Sequence, residues 1–237
     1  MTWSWFDLAW PWIGAVAAAS ILVLLFGTER LRSDASISRW RDPVWLSWLA
    51  AAAYMIHNVE EYGIDILGRK HYFPEALCLA LGLGRYPACP VPASFFLAVN
   101  ISLFWVAAPL AALLSRRHPL IGLVFYGLLF TNGLAHVIPM LLGRGFSPGT
   151  LTAIVLFFPL FLWVARTCFG PGRIPYRGLA AIVGAGALVH AILIGSLFLF
   201  LDGRIGESLL AAIQMLNAGL FLFVPWMAGR ILLKSSA

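Results

Sequence analysis

The sequence predicts an all-α, polytopic membrane protein: a bundle of about seven transmembrane helices forming one domain over residues 1–237. Three observations predict it. Of the 237 residues 61% are hydrophobic and only 11% charged, whereas a soluble domain carries about a quarter charged residues, so a water-soluble enzyme and a disordered chain are both excluded. The apolar residues gather into runs near the roughly 20 residues that cross a hydrocarbon core of about 30 Å. Those runs are apolar on every face and lack the period-two alternation of barrel strands.

The first run, Leu8 to Phe26, is preceded by no basic residue, unlike a cleavable signal peptide, and is expected to be retained as a helix. The second, Val44 to Ile64, is unusual because its last third is polar. The third runs from Ala93 to Leu114 and the fourth from Leu120 to Leu142. The fifth, Leu151 to Ala165, is the shortest and holds Pro159. The sixth, Leu179 to Leu201, carries Gly184, Gly186 and Gly195 as candidate close-packing positions, and the seventh is Ser208 to Leu232.

Connections between runs are short, and no repeat or low-complexity tract marks a second domain. Asp65 to Pro92 is the exception. It is rich in Gly and Pro and holds His71, Glu75, Cys78 and Cys89; its length suits either a lid or a tied-down surface connection. His71 and His118 both fall in connections, where exposure is the expectation.

Basic residues set the orientation. Arg30, Arg32, Arg39, Arg41, Arg116, Arg117, Arg166, Arg173, Arg177, Arg230 and Lys234 fall on one side, while Arg69, Lys70, Arg85, Arg144 and Arg204 fall on the other. The positive-inside rule then puts the amino terminus outside and the carboxyl terminus in the cytoplasm. The expected location is the bacterial inner membrane. A net charge of +6 reads as this topology signal, because the cations are scattered among loops; nucleic acid is not an expected partner. Cys78 and Cys89 share the outer connection, where a disulfide and two free thiols are both compatible with the sequence.

Ionisable groups at membrane depth cost roughly 2.5–3.5 kcal/mol each and need a partner or a purpose. The second run holds three in one turn, His57-Asn58-Val59-Glu60-Glu61. At about 100° per residue, Glu60 lies about 60° to one side of His57 and Glu61 about 40° to the other. Two adjacent carboxylates in a low-dielectric surround repel unless a cation compensates them, and a metal ion does so economically. Asn132 and His136 stack on the fourth helix and His190 lies on the sixth, while Asn100, Gln214 and Asn217 add amides. Counted from the outer helix ends, these residues share a band about 8–17 Å deep. Asn100 and Gln214 are expected to be interhelical hydrogen-bonding residues.

The turn His57-Asn58-Val59-Glu60-Glu61 resembles the signature of the HXXEE-domain membrane proteins, a group without an assigned function and noted for further characteristic His and Asn residues. The resemblance covers about residues 44–201, from the second helix to the sixth. It implies Asn132, His136 and His190 as the further positions and an enzymatic role, and it supplies no substrate.

The chemistry follows from the ligand types. His57, His136 and His190, with Glu61, are candidate metal ligands; a divalent metal is the expected cofactor, with zinc favoured and iron as the alternative. Glu60, Glu61 and Asn132 are the candidate catalytic groups, a carboxylate as general base and the amide to polarise a carbonyl. The expected reaction is hydrolysis of a lipidic ester or amide entering from the bilayer. A non-haem iron oxidoreductase acting on a lipid, a metal-free lipid isomerase and a proton-coupled or metal transporter remain open from the residues alone, and a haem protein using His136 and His190 is a minor reading.

Overall fold

The computed structural model describes residues 3–232, which form helices joined by short connections; Lys234, counted above on the cytoplasmic side, lies outside the described residues. Helix α1 is Trp5–Gly27, started by a Ser4 and Asp7 capping box. Helix α2 is Pro43–Asn58, continued by a π-helical turn Val59–Gly63. Asp42 caps it by accepting from the amides of Val44 and Trp45, and Pro43 fills the first position, where no N–H is needed. A short helix α3 (Phe73–Ala80) lies in the long connection. Helices α4 (Ala93–Leu114), α5 (Pro119–Arg144), α6 (Thr150–Cys168), α7 (Tyr176–Leu201) and α8 (Glu207–Leu232) complete the bundle.

Six helices, α1 and α4 to α8, are long and apolar enough to cross a membrane, so this is an integral membrane protein. Helix α2 is not among the six, because His57, Asn58, Glu60 and Glu61 interrupt its apolar run. It is nonetheless among the most enclosed helices, with Ala50 to Tyr54 all buried. Helix α5 is equally central, with every residue from Leu120 to Leu129 buried. A helix apolar all round is covered all round, so the two helices that carry the signature turn and His136 are both interior.

Several helices widen locally into π turns. Those of α4 (Ile101–Ala107) and α6 (Ala153–Phe157) each end two residues before a proline, Pro109 and Pro159. Proline offers no N–H and its ring crowds the carbonyl one turn earlier, so a wider turn relieves the clash. That is why the fifth apolar run remains a helix despite Pro159.

Away from the polar band the bundle closes by steric fit. Tyr54 stacks on Phe104 with centroids 3.6 Å apart, and Tyr126 donates to the Leu46 carbonyl at 2.8 Å, tying α5 to α2. A Cβ on Gly127 would stand 2.0 Å from the Ile182 carbonyl oxygen, and one on Gly186 would stand 2.7 Å from the Gly127 oxygen, so α5 and α7 touch backbone to backbone. Gly186 thus packs as expected. Gly184 and Gly195 do not: a Cβ there meets nothing within 4 Å, since both lie off that face.

The long connection folds back over the bundle. Cys78 and Cys89 form a disulfide, and Phe73, Ala76, Leu77 and Ala80 of α3 line a cavity inside the bundle. His71 is half-buried, contrary to its expected exposure: its Nδ1 lies 3.0 Å from the Tyr62 carbonyl and its ring packs edge-on against Trp3. Burial pushes its imidazole pKa down.

Candidate metal centre

Three buried side chains converge beneath α3. His57 Nε2 lies 3.5 Å from Glu61 Oε2, and His136 Nε2 lies 3.2 Å from Glu61 Oε1. One ligand atom from each of the three residues falls within 4.8 Å of the others. Donors at metal distances of about 2.0–2.1 Å on a tetrahedron stand about 3.3 Å apart; each histidine lies near that distance from one oxygen of Glu61, and the group as a whole is somewhat wider. His57 is fully enclosed, and its Nε2 is buried without a hydrogen-bond partner. A buried nitrogen facing a carboxylate and a second imidazole, with no donor or acceptor in bonding geometry, is placed as a metal ligand would be, and the three groups could hold an ion.

The far side of His57 explains why that nitrogen is free. Its Nδ1 lies 2.7 Å from Thr152 Oγ1. The Thr152 hydroxyl donates its single proton to Glu60 Oε2 at 2.6 Å, and the Gly149 carbonyl at 3.2 Å is its other acceptor. With that proton committed, Thr152 can only accept from His57 Nδ1–H, so the lone pair of the neutral ring is on Nε2, toward Glu61 and His136. His136 is held more loosely, its Nδ1 3.4 Å from Ser147 Oγ, which lies 3.1 Å from Thr150 Oγ1.

The two carboxylates of the signature turn therefore part company. Their places on either flank of His57 follow from the helical spacing, but they do not converge on one point. Glu60 accepts from the amides of Leu151 at 3.0 Å and Thr152 at 2.8 Å, so it neutralises itself against the unpaired N–H groups and positive end of α6. Expecting both acids to need a cation overlooked a helix terminus as compensator. Glu60 is not in the convergent group, and its three hydrogen bonds hold it as a support for His57.

His190 is not a member of the group either. Its Nδ1 lies 2.9 Å from the Gly186 carbonyl, one turn back on α7, and its ring lines the same cavity as Glu61 and His136. Asn132 also lines that cavity, with Oδ1 buried and unpartnered. Asn100 donates to the Phe96 carbonyl of its own helix at 2.9 Å, lines the cavity and also meets the Tyr62 side chain of the α2 turn, so it links two helices as expected. Gln214 bridges α8 to α7 through Ser196 at 2.7 Å, as expected, and Asn217 does so through the Val189 carbonyl at 3.0 Å. Asn58 is buried, with both amide atoms unpartnered among the described residues.

The cavity measures about 280 Å³ and is otherwise walled by aromatic and aliphatic side chains, including Phe95, Phe96, Phe104, Leu103 and Leu193. Phe157 lies 4.5 Å from the His57 ring and Phe73 lies 5.7 Å from the His136 ring. Such walls exclude water and strengthen any electrostatic interaction inside.

Sequence reading missed the segment that closes the site. Gly149, with φ of 92°, crosses both imidazoles: a Cβ there would stand 2.6 Å from His136 Cε1 and 2.7 Å from His57 Cε1. Only glycine fits both that backbone angle and that approach. The Pro148-Gly149 pair marks a turn before a helix, and Thr150 and Thr152 resemble ordinary helix-start hydroxyls. Nothing in that pattern announces a site, because His57 and Glu60, which it meets, lie 91–95 residues away in sequence.

No curated protein and no solved structure matches the chain. Residues 48–164 match the family described as "protein of unknown function with HXXEE motif". The match spans α2 to α6 and ends before α7, so it includes His57, Glu60, Glu61, Asn132, His136 and the Gly149 crossing; His190, within the stretch expected to show the resemblance, lies outside it. Residues 48–164 thus match the HXXEE family, and the histidine and the two glutamates that name it are all buried in this bundle.

Proposed function

We propose that this protein is a metal-dependent membrane enzyme that hydrolyses an ester or amide bond in a lipidic substrate. The observation that carries the reading is the partnerless, buried His57 Nε2 facing Glu61 and His136. Two imidazoles and one carboxylate form a ligand set known from catalytic zinc sites that keep a fourth position open. His57, Glu61 and His136 would hold the ion; a divalent metal in such a set supplies Lewis acidity and activates water near neutral pH. Glu60 and Thr152 fix the His57 ring, Asn132 offers an amide donor to a substrate carbonyl, and the aromatic walls keep bulk water out.

In this reading α2 is the seventh span, the amino terminus is outside and the carboxyl terminus cytoplasmic. The Cys78–Cys89 disulfide supports that orientation, since such bonds persist on the oxidising side of a bacterial inner membrane. Elemental analysis of protein purified in detergent tests the assignment. About one zinc per chain is expected, and both His57→Ala and Glu61→Ala should abolish it while leaving the helical circular dichroism intact. A wild type without stoichiometric metal defeats the proposal.

A second reading uses the same donors. Two histidines and one carboxylate with open positions are also the facial triad of non-haem iron oxygenases. Iron in the elemental analysis, with a Mössbauer signal lost in His136→Ala, would select the oxidoreductase.

A further inference from the structure

The cavity wall contributed by α7 narrows the substrate class. His190 Nδ1, at 2.9 Å from the Gly186 carbonyl, must donate, because a carbonyl only accepts. In the neutral ring Nε2 is then an acceptor, and it has no partner among the described residues. The Asn132 amide lines the same cavity from α5, its Oδ1 buried away and its NH₂ left to the interior. The surrounding wall is largely apolar, so an acceptor and a donor placed in it recognise specific groups.

An ester presents acceptors only and leaves His190 unsatisfied. A hydroxyl supplies a donor but no bond for hydrolysis to cut. A secondary amide supplies both, its carbonyl for Asn132 and its N–H for His190. Size adds a limit, because about 280 Å³ is at the small end of ligand cavities, which begin near about 300 Å³. That suits an amide head with one chain and not the two chains of a diacyl lipid.

We infer that the cavity takes a single-chain fatty acyl secondary amide, with His190 as the residue that selects amide over ester. This rests on the hydrolytic reading above. In the reaction the water oxygen bonds to the acyl carbon and the C–N bond breaks with its electron pair leaving on nitrogen. One water proton goes to that nitrogen and the other stays with the new carboxyl group, so the products are a fatty acid and an amine.

Binding of three probes to the full chain in nanodiscs, followed by native mass spectrometry, tests this with and without chelator. N-methyloctanamide should bind about tenfold more tightly than either methyl nonanoate or N,N-dimethyloctanamide, the difference one buried hydrogen bond makes. His190→Phe should erase the preference and His190→Gln, which keeps an acceptor, should restore part of it. Equal binding of the three probes by wild type, or a preference that survives in His190→Phe, overturns the inference. Failure of the metal assignment reads differently: wild type would then lack metal while the amide preference persisted under chelation.

Discussion

The two halves of this bundle are built on opposite rules. Around Gly127 and Gly186 the helices touch backbone to backbone. Around Glu61 and His136 a cavity of about 280 Å³ is left open, and polar atoms stand without partners. The first region gains from contact between atoms of low individual value. The second keeps unsatisfied groups that such packing would otherwise remove, and tolerates them because the first holds α2, α5 and α7 in fixed relation. Rigid elements beneath a site are what hold side chains within a few tenths of an ångström of a working geometry.

Three changes test that division, taken from the largest effect to the smallest. Gly127→Leu attacks the packed half: its Cβ would meet the Ile182 oxygen at 2.0 Å, and α5 and α7 must separate. Overpacking of this kind costs about 3 kcal/mol, so the thermal midpoint in detergent should fall sharply and metal binding should go with it. If stability is unchanged, the close approach is not what holds the scaffold.

Gly149→Ala attacks the open half alone. A methyl group there drives into both imidazoles at a φ that alanine adopts with strain. Metal affinity should drop by about a hundredfold in competition with a calibrated chelator, while the thermal midpoint of the apo protein falls by less than in Gly127→Leu. A comparable loss of apo stability would show that the crossing is structural.

Thr152→Val is the subtlest. It keeps the side-chain volume but removes the acceptor for His57 Nδ1, so the ring loses its enforced tautomer. A loss of about tenfold in metal affinity is expected, with Thr152→Ser recovering it, and nitrogen chemical shifts of His57 should report a mixture of tautomers in the valine variant only. A single tautomer in both variants would remove Thr152 and Glu60 from their supporting role.

Much of this was legible in the chain. The apolar runs fixed the helices because a bilayer leaves the backbone no alternative to satisfying itself. The spacing of His57, Glu60 and Glu61 put the carboxylates on two flanks of one imidazole, and stacking placed His136 at the same level. The separate fates of those carboxylates were not legible. Glu60 bonds amides at residues 151 and 152, and no local pattern reveals which distant helix start will arrive beside an acid. The same holds for His190, whose level along the bundle was readable but whose Nδ1 is taken by its own helix.

The sequence by itself determined a membrane-embedded helical bundle and a turn of ionisable residues too costly to be incidental, since both follow from transfer energies that each residue carries wherever it sits. Tertiary structure decided which nitrogen of His57 is free, which glutamate faces it, and that a glycine crosses the pair. Those depend on distances between helices, and only packing sets such distances.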